Sequence, residues 1–350
     1  MNQLITKSSQ WRVNTAISAR HYSVYIAVCL TTAFALTAPL ISFAYGADNR
    51  AAYTTPYMPY KAFDKLKQKT EINIEGAELT IGYAPGQLTL PRQTIHNWLK
   101  NAAAIVSKYY GRYPVKNARI LIVPAEGRGI KGGQAFGYKG AAIRLYIGQH
   151  TTIADLNRDW VAIHEMIHLA LPSVATRHYW LSEGLAVYIE SIARVQADDL
   201  KQETIWADFM RDMPKGLPRA NDKGLDHTPS WGRRYWGGAM FCLLLDISIR
   251  QNTKNKMGLQ TAMRGVLEAG GSMETQWSMS RIIAAADTAT GTNSFRTLYQ
   301  KMSAAPVSPD LKDLWQKLGI SKGARGKAGI ALNEQAPLAA IRRAILQPPG

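Results

Sequence analysis

The sequence predicts an α+β fold in which a small half of strands and one helix comes first and a mainly helical half follows. Up to residue 147, short apolar runs typical of strands flank one long amphipathic segment. A composition that is 46% hydrophobic over 350 residues is sufficient for a sizeable core. From residue 153 onward helical spacing dominates, and it predicts helices near 153–170, 181–197, 235–252, 256–269, 275–289 and 336–346.

Each element of the first half follows from a local signal. Residues 47–70 form a polar, Tyr-rich lead-in segment. Pro91 predicts the start of a helix that continues to Tyr110, because proline is well tolerated in the first helical turn. The many glycines of 125–140 predict a loop. The β-rich runs predict four strands at Ile72–Ile74, Leu79–Ile81, Arg119–Val123 and Ala142–Ile147.

The first 46 residues have the composition of an export signal. Residues 1–22 carry three basic residues and no acid, and residues 24–44 carry no charge at all. Ala44 and Gly46 then place small side chains at the −3 and −1 positions before Ala47, which predicts cleavage there and a bacterial periplasmic or secreted location. The alternative is an uncleaved inner-membrane anchor over 24–44, since 21 apolar residues can span a bilayer.

The charge is strongly basic. Lys and Arg number 42 against 25 acids, for a formal charge of +17, and loss of the leader would leave +14 on 304 residues. Export and the absence of a recognisable nucleic-acid-binding module argue against nucleic acid as a partner. The charge suggests an anionic envelope surface or polymer instead. The alternative is a solvated basic surface without a partner.

The chemistry is concentrated in an H-E-x-x-H motif. His164 and His168 are one helical turn apart and would project from the same face, where two imidazoles can bind one Zn²⁺. Glu165 is rotated away by one residue, so it can act on a metal-bound water as a general base without binding the metal. The motif therefore predicts one catalytic zinc per chain.

A third protein ligand is required, and Glu183 is the candidate. Ser182 can cap a second helix, and Glu183 then lies in its first turn, facing the histidine helix. Fourteen residues separate His168 from Glu183, which is enough for one loop between two packed helices.

The segment Trp180–Glu190 resembles W-L-N-E-G-F-A-x-Y-x-E of the aminopeptidase N family and W-x-x-E-G of glycyl aminopeptidases and the peptidase MA-like group. These are gluzincins, whose third zinc ligand is that Glu. Arg234–Asp246 is similar to Y-x-K-G-A-x-x-x-x-L-L-D of the same families. The resemblance implies a thermolysin-like zincin catalytic domain over 71–255, with a helical C-terminal part, 256–350, packed on it. It also implies that Tyr235 stabilises the oxyanion.

Two features depart from the aminopeptidase N pattern. That family has eighteen residues between the second His and the Glu, whereas this chain has fourteen, as in the peptidase MA-like group. The family's G-x-M-E-N segment supplies a Glu for the substrate's α-ammonium, but Lys131–Gly140 contains no acid. The resemblance therefore implies zinc chemistry rather than aminopeptidase specificity.

The predicted function is an exported zinc metallopeptidase that hydrolyses a peptide or protein substrate. Glu190 follows Glu183 by two helical turns and is expected either to orient His164 or His168 or to form a surface salt bridge. Two alternatives remain open: a catalytically silent peptidase-fold module that binds anionic envelope polymers, and a zinc amidase that acts on cell-wall peptide.

Two further segments bear on the substrate. The loop 213–234 is rich in Pro, Gly and Trp, precedes Tyr235 and is expected to border the site. Its basic residues favour an acidic or carboxylate-bearing substrate. The strand Ala142–Ile147 is predicted either to pair with an extended peptide or to be an ordinary internal strand.

Overall fold

The computed structural model describes residues 49–323 and 327–348, so the predicted leader and anchor lie outside the described residues. Its main sheet has five strands, and a two-stranded sheet lies near the C-terminus. The strands are β1 (Lys69–Ile74), β2 (Ala77–Tyr83), β3 (Asn117–Ala125), β4 (Ile130–Phe136), β5 (Ala142–Gly148), β6 (Ile320–Lys322) and β7 (Ile330–Leu332).

The main sheet is mixed and has the order β1-β2-β3-β5-β4. The pairs β1–β2 and β4–β5 are antiparallel, whereas β2–β3 and β3–β5 are parallel. The predicted loop over 125–140 is therefore wrong, because its middle forms the edge strand β4. The sequence lacks the apolar alternation of a half-buried strand there. It is β4, and not Ala142–Ile147, that has a free edge, since β5 is paired on both sides.

Twelve α-helices are described. They are α1 (Tyr60–Asp64), α2 (Arg92–Tyr110), α3 (Ile153–Leu156), α4 (Val161–His168), α5 (Tyr179–Gln196), α6 (Gln202–Asp212), α7 (Gly238–Asn252), α8 (Leu259–Glu268), α9 (Met279–Thr290), α10 (Ser294–Met302), α11 (Leu311–Leu318) and α12 (Ala339–Ile345).

Most predicted helices correspond to one observed helix, but 153–170 differs, and α1, α6, α10 and α11 were not predicted. The segment 153–170 contains two helices, because the chain turns between α3 and α4. The Asp159 carboxylate accepts the backbone N–H of Ala162 at 3.1 Å, which starts α4 afresh. Helix α6 buries Ile205, Trp206 and Phe209, but six of its eleven residues are polar or charged.

Both faces of the sheet are covered. Helix α2 begins after Pro91, ends at Gly111 in the left-handed conformation, and buries its predicted apolar face. The opposite face of the sheet is covered by the lead-in segment and α1, which form one hydrophobic cluster with β3 and β5. Its buried members are Tyr53, Met58, Tyr60, Phe63, Ala84, Leu121, Val123 and Ala142.

Helices α5 and α7 cross at two glycines. A Cβ on Gly184 would lie 2.2 Å from the carbonyl carbon of Gly238, and one on Gly238 would lie 2.1 Å from the Trp180 carbonyl oxygen. The two backbones touch directly, so only glycine fits at either position.

The segment 271–277, from the C-terminal part 256–350, is fixed to two elements of the preceding part of the chain. Met273 N–H donates to the Leu169 carbonyl at 3.0 Å, and Ser173 N–H donates to the Thr275 carbonyl at 2.8 Å. At the other end, a Cβ on Gly137 would lie 2.0 Å from the Met273 carbonyl oxygen. The segment therefore joins the exit of α4 to the end of β4.

The predicted α+β class, with a small mixed sheet half followed by a helical half, is confirmed. No helix in the described ranges is both long and apolar enough to cross a membrane.

Candidate metal centre

Helix α4 presents the two histidines from the core. All eight of its residues are buried. The His164 and His168 rings are one turn apart, with centroids 4.8 Å apart and planes at 87°. Trp160 packs edge-on against His164 at 5.3 Å. The ring positions are therefore fixed by packing.

Helix α5 brings Glu183 to the same point. Glu183 Oε2 lies 3.3 Å from His164 Nε2 and 3.5 Å from His168 Nε2. One donor atom from each of the three residues lies within 4.8 Å of the others. Although burial disfavours its charge, the two imidazoles hold the pKa of Glu183 well below its usual range. The carboxylate is thus ionised, as a metal ligand must be.

This donor set fits zinc. Two imidazole nitrogens and one carboxylate oxygen are the protein ligands of a class of catalytic zinc site, and here all three converge on one point. His168 Nδ1 hydrogen-bonds Ser182 Oγ at 2.9 Å, which fixes the ring with Nε2 toward Glu183. His164 Nδ1 is buried and has no hydrogen-bond partner within the described structure.

Glu165, the residue between the two histidines, is buried against the edge strand β4. A Cβ on Gly133 would lie 2.5 Å from Glu165 Cγ, and the backbone N–H of Ala135 donates to the carboxylate. Burial raises the pKa of Glu165, and the neighbouring Glu183 carboxylate acts in the same direction, while the two histidines oppose the shift. A carboxylate with a raised pKa is suited to accepting a proton.

Tyr235 closes the site from a π-helical turn, Arg233–Gly237, that leads into α7. Its hydroxyl faces the Glu183 carboxylate. Burial raises the pKa of Tyr235, and the carboxylates of Glu183 and Glu165 raise it further. The phenol is therefore protonated at neutral pH and available as a donor.

The loop 213–234 borders the site through an aromatic contact. Trp231, which is 39% exposed, stacks on Tyr235 with ring centroids 5.8 Å apart. Beneath it, the buried Arg233 pairs with Asp222 at 2.9 Å and donates to the Gly216 carbonyl at 2.7 Å. The charge of Arg233, one of the basic residues of the loop 213–234 expected to favour an acidic substrate, is thus neutralised within the fold.

Asp226 ties this loop to the start of α5. Its carboxylate accepts from His178 Nδ1 at 2.9 Å, from Trp180 Nε1 at 2.7 Å and from the Tyr299 hydroxyl at 2.6 Å. These bonds hold the pKa of Asp226 below its usual value against the effect of burial. His178 is a buried partner in this network.

Glu190 has other partners than those expected. It is fully buried and pairs with Arg194 at 2.9 Å, and it accepts from Ser191 Oγ at 3.1 Å. The salt bridge lies in the core, and Glu190 makes no hydrogen bond to His164 or His168. The i,i+4 spacing of Glu190 and Arg194 was the available signal.

Sequence reasoning missed the contribution of the edge strand. Gly133 and Ala135 touch Glu165, yet the sequence placed them in a loop. The one signal was the pair Gly132-Gly133, since glycine inside a strand often marks a close approach of another group.

Comparison with known proteins identifies the fold. No protein-family description matches the sequence. No curated protein matches it either. Among solved structures, an aminopeptidase N family protein from Idiomarina loihiensis is similar with a TM-score of 0.55 at 14% identity, covering 72% of this chain and 49% of that one.

Two structures of an M1 zinc metallopeptidase from Deinococcus radiodurans are also similar. The unmutated enzyme has a TM-score of 0.44 at 17% identity, covering 69% of this chain and 52% of that chain. A glutamate-to-alanine mutant bound to a Tyr-Ser-Ala substrate has a TM-score of 0.44 at 16% identity, covering 69% and 53%. The chain spans about half the length of these structures. The similarity to the Idiomarina protein shows a shared fold, in agreement with the resemblance to the aminopeptidase N family.

Proposed function

We propose that the protein is a zinc-dependent peptidase of the gluzincin type. One observation carries the proposal: two helices and a π-turn bring three metal-binding side chains, a buried carboxylate and a phenol to a single point. His164, His168 and Glu183 would hold one zinc ion, and Glu165 and Tyr235 flank it. A fold with no chemical task has no need for all five groups together.

Bound zinc would supply a Lewis acid that lowers the pKa of a water molecule toward neutrality. Glu165 is the group that takes the proton from the attacking water and delivers it to the leaving amine. Tyr235 donates a hydrogen bond to the carbonyl oxygen as charge develops on it. The Ala135 N–H, which binds the Glu165 carboxylate, keeps the base in place.

The edge strand supports a peptide as the substrate. Strand β4 is paired with β5 on one side only, and it passes directly beside Glu165. An extended peptide that pairs with this free edge would bring a backbone amide next to the base. We therefore place the substrate on β4, and not on the strand Ala142–Ile147 considered from the sequence.

The location and surroundings of the enzyme are part of the proposal. Residues 1–46 support export to the periplasm or secretion, and the charge of +17 supports an anionic envelope surface as its setting. Neither a silent binding module nor a cell-wall amidase has a specific observation in its favour.

The test is digestion of a proteome-derived peptide library by the purified protein, read by mass spectrometry together with zinc content. Glu165→Gln is expected to keep about one zinc per chain and to lose hydrolysis by at least ~10³-fold. Glu71→Gln is the matched control, because Glu71 is exposed on β1. Wild-type protein that holds zinc and cuts no peptide would refute the proposal. Cleavage confined to cell-wall peptides would replace the peptidase with the amidase.

A further inference from the structure

Arg144 is a buried cation in an unusual environment. It lies on β5, is 1% exposed, and forms no ion pair with any carboxylate in the described part of the chain. Its burial lowers the pKa of the guanidinium. Buried charges are costly unless they are well hydrogen-bonded, so the contacts of this side chain indicate its purpose.

The first set of contacts is with the lead-in segment. Arg144 Nη1 donates to the backbone carbonyls of Tyr53, Thr55 and Tyr57, at 3.1, 2.6 and 3.4 Å. A single side chain thus fixes five consecutive residues of the lead-in against the outer face of the sheet.

The second set of contacts is with the edge strand. Arg144 Nη2 donates to the side-chain oxygen of Gln134, which is its cross-strand partner on β4. The guanidinium also lies 5.5 Å from the ring centroid of Phe136, on the same face of the strand. Side chains alternate along a strand, so Gln134 and Phe136 point to the lead-in while Gly133 and Ala135 face α4.

Strand β4 is weakly specified by its own strand pairing and sequence. It has one paired edge, two consecutive glycines and a register shift between Ile130 and Gly132. The lead-in gives additional support at the turn after it, where the Tyr138 hydroxyl donates to the Met58 carbonyl at 3.0 Å. The backbone that touches Glu165 is thus held from behind by the lead-in.

We propose that Arg144 is a positioning residue that, through Gln134, couples the lead-in segment to the stretch of β4 lying against Glu165. The expected effect on kcat rests on the proposed function, whereas the structural coupling does not. Residues 53–57 are then a working part of the enzyme, and any removal of the leader has to take place before Tyr53.

The test replaces Gln134, which is exposed, so the fold is retained. Gln134→Ala removes the acceptor, whereas Gln134→Glu keeps an oxygen for Arg144. Gln93→Ala is the matched control, because Gln93 is an exposed glutamine whose side chain bonds only Asn97, at 2.9 Å. The measurements are kcat, KM, zinc content, melting temperature and amide hydrogen exchange over residues 130–137.

Gln134→Ala is expected to lower kcat by about 10-fold or more, because a small displacement of a catalytic group has a large effect on rate. KM is expected to change less than about threefold, and amide exchange over 130–137 to rise by about 10-fold. Gln134→Glu is expected to restore both kcat and exchange, and Gln93→Ala to match the wild type. Zinc content and melting temperature are expected to stay constant throughout.

Unchanged exchange in Gln134→Ala would overturn the proposal whether or not the protein is a peptidase. Raised exchange with unchanged kcat, or a Gln134→Glu variant that behaves as Gln134→Ala does, would overturn it as well. Failure of the proposed function is a separate result, namely zinc-bound wild-type protein without hydrolysis, and the exchange measurement still decides the coupling.

Discussion

The crossing of α5 and α7 permits a quantitative prediction for Gly184→Ala. Gly184 follows Glu183 directly, and its partner Gly238 comes three residues after Tyr235. The new Cβ would be 2.2 Å from the Gly238 carbonyl carbon, whereas ordinary contact begins at 3.4 Å. The helices would have to separate by about 1.2 Å, and Glu183 would move away from Tyr235.

Overpacking of this kind costs about 1–3 kcal/mol. Alanine regains up to ~1 kcal/mol of helix propensity over glycine, which offsets only part of this cost because the clash is with backbone. At roughly 2–4 °C per kcal/mol, the melting temperature would fall by a few degrees. The kinetic effect is much larger, because a displacement of about 1 Å between catalytic groups can reduce kcat by ~10²-fold.

The assay combines thermal melting with kcat and zinc content for two variants. Gly265→Ala is the matched control, because its Cβ would lie 2.2 Å from Ala289 Cβ at the α8–α9 contact, outside the site. Both variants are expected to lose stability, but only Gly184→Ala is expected to lose kcat disproportionately. Equal kcat in the two variants would refute the view that the glycine crossing sets the distance between Glu183 and Tyr235.

Three further predictions concern charge. Arg234→Gln, beside Tyr235, is expected to lower kcat/KM for a Glu-containing peptide relative to a Gln-containing peptide by about 10-fold. Arg296→Gln, at an exposed position outside the loop 213–234, is the control, and an unchanged ratio in Arg234→Gln contradicts the prediction. Asp226→Asn is expected to cost about 2–3 kcal/mol in urea unfolding, because three donors lose a charged acceptor; wild-type stability would contradict it. Burial raises the pKa of Asp159 to about 6 from a usual 3.8. The ionised carboxylate therefore destabilises the folded state above pH 6, and this destabilisation disappears as the pH falls toward 4. The free energy of unfolding of Asp159→Asn, measured relative to that of the wild type, should therefore be up to roughly 3 kcal/mol higher at pH 8 than at pH 4. A difference between the two proteins that does not change with pH would refute this.

The position of the site was predictable because its signals are local. His164 and His168 need only one helical turn to share a face, and Ser182 and Glu183 need only the start of the next helix. The structure brings these side chains together at the expected point. Their zinc-binding and catalytic roles stay predictions until the metal and the activity are measured.

What the sequence did not reveal depends on contacts between distant segments. Strand β4 has no apolar alternation, since its backbone and not its side chains meets Glu165, so it was assigned to a loop. Arg144 looked like an ordinary charged residue in a β-rich run, and its three carbonyl acceptors lie about ninety residues earlier in the chain. Glu190 was at the right helical spacing, but its partner Arg194 is decided by packing in the core.

Because residues 271–277 contact two walls of the site, heat inactivation should depend on residues 256–350, which contain none of the predicted metal ligands. The segment 271–277 connects the exit of the histidine helix, at Leu169 and Ser173, to the last residues of the edge strand. Loosening of the C-terminal helices would therefore release two walls of the site at the same moment. Loss of activity on heating should then coincide with melting of residues 256–350, and residues 49–255 should keep no catalytic competence of their own above that temperature.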